Sequence, residues 1–367
     1  MRATFMGLEM GKRSIMAQQT ALDVTGHNLS NANTVGYTRQ EANLVTTRPY
    51  HTPMLTGNSK VGQLGTGVDV ADIRRLRDDF VDGQIRNENK TAGYWDSLEN
   101  SLAKIEVILN EPSDNGLRGV MDAFWMSWQD LSAHPESEAV RSVVAQRGMA
   151  LADAINHTDR QLTELKEDLN ATVKVKVDEI NSIALQLKDL NQQILSIKIA
   201  GKQPNDLLDK RDLLIDQLSE IVDVQVSEDN RTSMVTVQLG GRNLVQDVYY
   251  NPLDVKSDTE GMHMVTWQDT GVKASISSGE LRGVLDARGK TLDEASPSEY
   301  KELIPNLMEQ LNTLAKTIVV KTNDLHRQGY SLNNTGATPD EINFFKKPVD
   351  ADSENWAEFM QVSDDIV

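Results

Sequence analysis

The sequence predicts a mainly α protein, a long-helix bundle or coiled-coil rod with small β-hairpin regions. Three patterns predict it. Leu162, Leu165, Leu169, Ile180, Ile183, Leu187, Leu190, Ile194 and Ile197 fall on alternating steps of three and four, interrupted only around Thr172 to Lys176. That is the spacing of a long helix with one buried stripe. Leu8, Ile15, Leu22 and Leu29 recur at every seventh position of a small, polar stretch, a seam too narrow to bury without a facing helix. Asp223 to Ser277 alternates with period two in VDVQVS, MVTVQL, NLVQDVYY and HMVTWQ, as half-buried strands do.

Along the chain, residues 1–40 are expected to form an N-terminal helix (3–31) and a linker, and 41–76 an extended or β-hairpin segment. Turn signals stand at Arg48-Pro49, Thr52-Pro53 and Gly57-Asn58. Glycines 62, 65 and 67 lack the Lys-Ser/Thr pair and following helix of a phosphate loop, and read as turn residues. Residues 77–222 read as the rod. A helix from Asp78 to Leu109 is stopped by Glu111-Pro112, and Ser113 to Gly116 forms a turn. A second helix starts at Leu117 and carries Phe124, Trp125 and Trp128 as core, until His134-Pro135 breaks it. Glu136 starts a third. An unbroken helix from Arg160 to Ile199 would span roughly 60 Å, and Gly201 ends it. Asn205 or Asp206 is expected to cap the next helix, NDLLDKRDLLIDQLSEIV, with Leu207, Leu208, Leu214, Ile215, Leu218 and Ile221 buried. Residues 223–278 form a β-hairpin region turning at Gly240-Gly241, and 279–330 return as helices of the rod. Residues 331–367, with Phe344-Phe345, start an outer small domain or a truncated C-terminal region.

Composition limits the function classes. The 367 residues allow two or three cores. A formal net charge of -18, with no Lys/Arg cluster in the sequence, argues against nucleic acid or anionic membrane as partner. The lack of cysteine excludes disulfide, Fe–S and thiolate-zinc chemistry. The six histidines are scattered without metal-ligand spacing, and no run is long enough to span a membrane. Arg2, Glu9, Lys12, Arg13 and Gln18 interrupt the first twenty residues, so no cleavable signal peptide is visible. Asp206, Asp209 and Asp212, three apart beside Lys210 and Arg211, read as a solvated, salt-bridged face rather than a metal site. His27 reads as a capping or surface residue. Asn-x-Ser/Thr triplets at Asn28, Asn156, Asn170, Asn230 and Asn333 occur at a rate chance explains. No catalytic, cofactor-binding or metal-ligating set is expected, and no nucleophile motif supports an enzyme.

The segment TGHNLSNANTVGYTRQ, Thr25 to Gln40, resembles the N-terminus of bacterial flagellar axial proteins, the family of rod, hook and hook-associated subunits. Their pattern is S-x-N-x-x-N-x-x-T-x-G-Y-x-R; Gly26, Asn28, Ser30, Asn31, Asn33, Thr34, Gly36, Tyr37 and Arg39 fall on or near it. Gln40, NDLLDKRD, Gly-Glu-Leu-x-Gly-x-Leu-Asp-x-Arg and Asn-x-Leu-His-x-x-Gly-Tyr are similar to the hook-associated members that join hook to filament. The resemblance implies a structural, non-enzymatic subunit that self-assembles as a ring between the hook protein and the second hook-associated protein FlgL. It implies unfolded export through the flagellar export apparatus with an export chaperone, an extracellular place at the hook–filament junction, no cofactor, and neither nucleic acid nor membrane as partner. It assigns the assembly interface to Leu8, Ile15, Ala17, Ala21, Leu22, Leu29, Asn28, Asn31, Asn33, Gly36, Tyr37 and Arg39, with Ala17 and Ala21 permitting close helix approach beside the seam. In those members a C-terminal heptad helix pairs with the N-terminal one. No such helix is in this sequence, so residues 1–40 are expected to be disordered in the monomer or packed on a neighbour. Two readings rank below this one: another axial subunit (hook, rod or filament-side adaptor), and a secreted helical adhesin or scaffold.

Overall fold

The stripe of alternating threes and fours belongs to one helix, α4 (Glu138–Ile199), of 62 residues; at 1.5 Å per residue it is roughly 90 Å long. In this computed structural model residues 5–49, 65–110, 116–291, 302–331, 339, 341–347 and 355–366 are described. The helix is longer than expected because the third helix runs into it without a break. Ser137 caps its start, accepting a hydrogen bond from the Val140 amide. Val173 and Val177, both buried, carry the stripe through the apparent interruption. Leu162, Leu165, Leu169, Ile180, Ile183, Leu187 and Ile194 are buried, and Leu190 and Ile197 half-buried.

Around α4 the described residues form α1 (Met6–Ser30), β1 (Gln40–Thr46), β2 (Val68–Arg75), α2 (Asp79–Leu109), α3 (Leu117–Ala133), α5 (Asn205–Ile221), α6 (Glu280–Arg288) and α7 (Leu303–His326). Between α5 and α6 come β3 (Val224–Glu228), β4 (Val235–Leu239), β5 (Arg242–Gln246), β6 (Tyr249–Tyr250), β7 (Leu253–Ser257) and β8 (His263–Trp267). Helices α2, α3, α5, α6 and α7 each pack on α4. Helix α2 crosses α5 so closely that a Cβ at Gly93 would collide with the Glu220 carbonyl oxygen. Asp78 caps α2 through the Phe80 amide. The expected asparagine or aspartate cap of α5 is corrected: its N-cap is Pro204, with no side-chain cap, and Asn205 and Asp206 turn elsewhere.

The β region is an antiparallel meander in the order β3-β4-β5-β6, turning at Gly240-Gly241, followed by the β7–β8 hairpin. NLVQDVYY proves to be two strands, because Asp247 takes a left-handed conformation (φ 55°) and turns the chain. Asparagines of α4 hold this region. Asn191 accepts from the Val235 amide (3.1 Å) and donates to the Val235 and Asp247 carbonyls (2.9 and 2.7 Å). Asn181 exchanges two 2.8 Å bonds with Leu253. Asn170 accepts from the His263 amide (2.7 Å) and donates to the Gly261 carbonyl.

Phe344-Phe345, expected to open another small unit, instead seat on the helical core. Both are buried, with ring centroids 5.7 and 5.9 Å from Phe124, and Phe344 lies 5.3 Å from Trp128. Asn323 clasps the Phe345 backbone by both amide atoms. Of the expected aromatic core, Phe124 is buried and Trp128 half-buried, whereas Trp125 is 45% exposed. Thr52-Pro53, Gly57-Asn58, Gly62, Glu111-Pro112, Ser113 to Asn115 and Asn333 lie outside the described residues. Among the described residues no helix is long and apolar enough to cross a membrane.

Truncating Phe344 to Ala empties the contact shared by α3, α4 and the C-terminal segment. It is expected to lower unfolding free energy by about 3–5 kcal/mol, read as a fall in the urea midpoint at unchanged slope.

Candidate assembly joint

Helix α1 carries two stripes. Val24 and Ala17 are buried on the side that packs against β1 and β2, and Met10 on the same heptad approaches Gly67. Leu8, Ile15, Leu22 and Leu29 lie two positions round the helix from that stripe, about 200° away, and are 70–78% exposed. The N-terminal segment, expected to be disordered alone, is thus a regular helix from Met6 with one face docked on its own hairpin and the other presented outward. Ala17 and Ala21 are likewise corrected. Ala17 is buried and Ala21 half-buried on the docked side, so neither is open to a second helix along the seam.

After α1 the chain turns back through a set of polar contacts. The Asn28 side-chain oxygen accepts from the Tyr37 hydroxyl (2.7 Å) and the Gln40 amide (2.9 Å), and its nitrogen donates to the Gln40 carbonyl (2.8 Å). Burial, with Asp209 and Asp206 nearby, raises the Tyr37 phenol above its ordinary pKa, which keeps it a donor. Gly36 has φ 79°, and a Cβ there would meet Leu213 of α5 at 3.0 Å; both conformation and space require glycine. Asn31 bonds the His27 carbonyl and closes α1. The His27 ring lies edge-on to Tyr37 with its Nε2 3.8 Å from Asp206. Asn33 and Arg39 point outward.

The hairpin is fixed to the rod by charge. The Thr38 amide donates to Asp209 (3.1 Å), Gln40 to Asp206 (3.2 Å), and Asn205 to the Ile73 carbonyl (2.8 Å). At the end of β2 the Arg75 guanidinium bridges Asp209 (2.9 Å) and Asp212 (2.7 Å). Arg77 pairs with Asp82 and reaches Asp216 (3.4 Å) and Asp212 (3.6 Å), while Arg86 of α2 holds Asp216 at 2.9 Å. Arg211, itself 1% exposed, binds Asp212, Glu228 and the Ser233 carbonyl. The aspartates read as a solvated face are therefore salt-bridged but, for Asp209 and Asp212, buried. Arginine forks occupy the carboxylates that a cation would need. Sequence spacing places Asp209, Asp212 and Asp216 on one side of α5, but nothing local reveals that a hairpin more than a hundred residues earlier covers it.

Among known proteins, the profile of the "Flagellar hook-associated protein FlgK helical domain" matches residues 102–343, and that of the "Flagella basal body rod protein" residues 8–38. Flagellar hook-associated protein 1 of Bacillus subtilis is 36% identical over 352 residues, covering 90% of this chain and 68% of that protein. Its counterpart in Escherichia coli is 29% identical over 331 residues, covering 86% and 56%. The solved flagellar hook junction protein FlgK from Burkholderia pseudomallei shares the fold, with a TM-score of 0.58 at 21% identity over 72% of this chain and 46% of that one. A rod-type N-terminal helix joined to a hook-associated helical domain defines a flagellar axial protein. The chain belongs to the flagellar hook-associated protein FlgK family.

Two outcomes test the joint. Arg75→Met leaves buried carboxylates short of a cation and is expected to cost about 3 kcal/mol locally; amide exchange in α1, β1 and β2 should accelerate while α4 stays protected. Burial alone would raise the Asp212 pKa, but Arg211, Arg75 and Arg77 outweigh it and hold the carboxyl below its ordinary range. A lowered carboxyl stabilises the fold above its unfolded pKa, about 3.9, and that contribution is lost as pH falls through the folded value. The hairpin's protection factors, its exchange rates taken relative to those of an unstructured chain at the same pH, should therefore hold level from pH 7 to 5 and fall below about pH 4.

Proposed function

We propose that the chain is a structural subunit of the bacterial flagellum that assembles at the junction between hook and filament. The observation that carries this reading is the outward seam of Leu8, Ile15, Leu22 and Leu29, held at 70–78% exposure on a helix whose other face is already docked. A helix presented in this way is built to meet other helices, and many copies doing so form the inner wall of a tube. Asn28, Gly36 and Tyr37 set the angle at which that helix leaves the rod. Asn33 and Arg39 face neighbours. The rod itself transmits force, and the role is mechanical rather than catalytic. By family, the hook protein lies on one side and the second hook-associated protein FlgL on the other. Export proceeds unfolded through the flagellar channel with a dedicated chaperone.

Deleting the gene should leave hooks without filaments and flagellin unpolymerised in the medium, seen by electron microscopy and immunoblot. Loss of hooks as well would indicate a rod or hook subunit, and normal filaments would end the axial reading. Leu22→Asp, supplied to the deletion strain, should fail to restore filaments while the purified protein keeps the parent's thermal unfolding transition. Normal filaments from that variant would refute the seam's role.

A further inference from the structure

Resting on the reading above as a self-assembling subunit, we propose that copies meet head to tail, a basic corner of one rod docking on the acidic outward face of α2 in the next. The fold builds the corner from three distant segments. The turn before β1 rests on α5, with Gly36 against Leu213 and the Thr38 amide on Asp209, and α4 ends at Ile199 just before α5 begins. Exposed Arg39 and Lys210 thus lie along the first turns of α5 with the exposed carboxylate of Asp206, and exposed Lys202 and Ile199 just precede its start. Val35, beside Gly36 on Leu213, lies further along it; Val35 and Ile199 are 80% and 78% exposed.

The second surface lies along α2. Its inward face, with Gly93 and Leu98, is buried where it crosses α5 and α6. Its outward face repeats Val81, Ile85 and Trp95 with Glu88, Asp96 and Glu99 between and beside them, all exposed. Arg39, Lys202, Lys210, Glu88, Asp96 and Glu99 form no ion pair among the described residues. The α2 face begins beside α5, where Arg86 reaches Asp216 at 2.9 Å, and runs on away from the start of α5, so the two surfaces are offset along the rod.

The charge of the chain makes this pairing selective. Copies carrying -18 each repel one another in general. A contact between them is favoured where signs oppose locally and apolar groups are covered at the same time. The corner and the α2 face are different surfaces, so the contact is heterologous and repeats around a ring instead of closing as a dimer.

The chain has no cysteine, which makes the test direct. Ile85→Cys and Ile199→Cys are introduced together, and intact flagella are oxidised and run on a non-reducing gel. A ladder extending beyond dimers is expected from the double variant, and monomer from either single one. Monomer alone from filament-bearing cells, or dimers from one single variant, would overturn the contact. If the double variant bears no filaments, charge reversal decides. Lys202→Glu with Lys210→Glu should reduce filamented cells at least tenfold, and adding Glu88→Lys with Glu99→Lys should restore them. Normal filaments in the first case, or no recovery in the second, would equally overturn it. Filaments that persist when the gene is deleted would instead sink the subunit reading itself.

Discussion

A helix has no backbone hydrogen-bonding groups to spare along its length, so a strand laid against one must find its partners elsewhere. This constraint shapes the whole rod. The small sheets are too short to be stable alone, and those between α5 and α6 lean on α4, where asparagine side chains meet strand amides and carbonyls. Asparagine resolves the mismatch, because its side-chain amide offers one donor and one acceptor in the geometry of a peptide group. Asn170, Asn181 and Asn191 stand eleven and ten residues apart, close to three helical turns. They thus lie on one side of α4 and each pins a separate stretch of the β region. Asn323 treats the C-terminal segment in the same way, while Asn156 donates to the Met360 carbonyl and Asn312 accepts from the Ala357 amide.

The rod and the joint are stabilised by different forces. Apolar burial along α4 is continuous and non-directional, and suits an element that must stay straight. Between hairpin and rod the contacts are ion pairs and hydrogen bonds of fixed direction, which set an angle rather than a mere proximity. Burying such charges is costly unless every partner is present. The joint meets that condition by sharing: Asp212 faces Arg75, Arg77 and Arg211 together.

Much of this is legible in the residues. The long helix, its Gly201 end, the start of α3 and the Gly240-Gly241 turn follow from local rules. The seam is legible as well, because four large aliphatic residues in line on a thin polar helix have no core of their own to enter. What stays hidden depends on distant chain. Asparagine within a helix reads as surface polarity until a strand is placed on it. Asp209 and Asp212 read as solvated because the covering hairpin precedes them by more than a hundred residues. The size of Ala17 and Ala21 suits close helix approach along the seam, yet the same property suits the hairpin on the opposite side. Asn205 and Asp206 have the chemistry of caps, but the hairpin claims their side chains.

The carboxylates of α5 have one further consequence, for register. Asp209, Asp212 and Asp216 recur about once per helical turn, and Arg77 lies within reach of more than one of them. A shift of one helical turn along α5 offers Arg77 an equivalent carboxylate, while the close seat of Gly36 on Leu213 holds the hairpin in its own register. Such a coupling has two electrostatic registers and one apolar key, as a keyed bearing does, between the packed rod on one side and the helix with its exposed seam on the other.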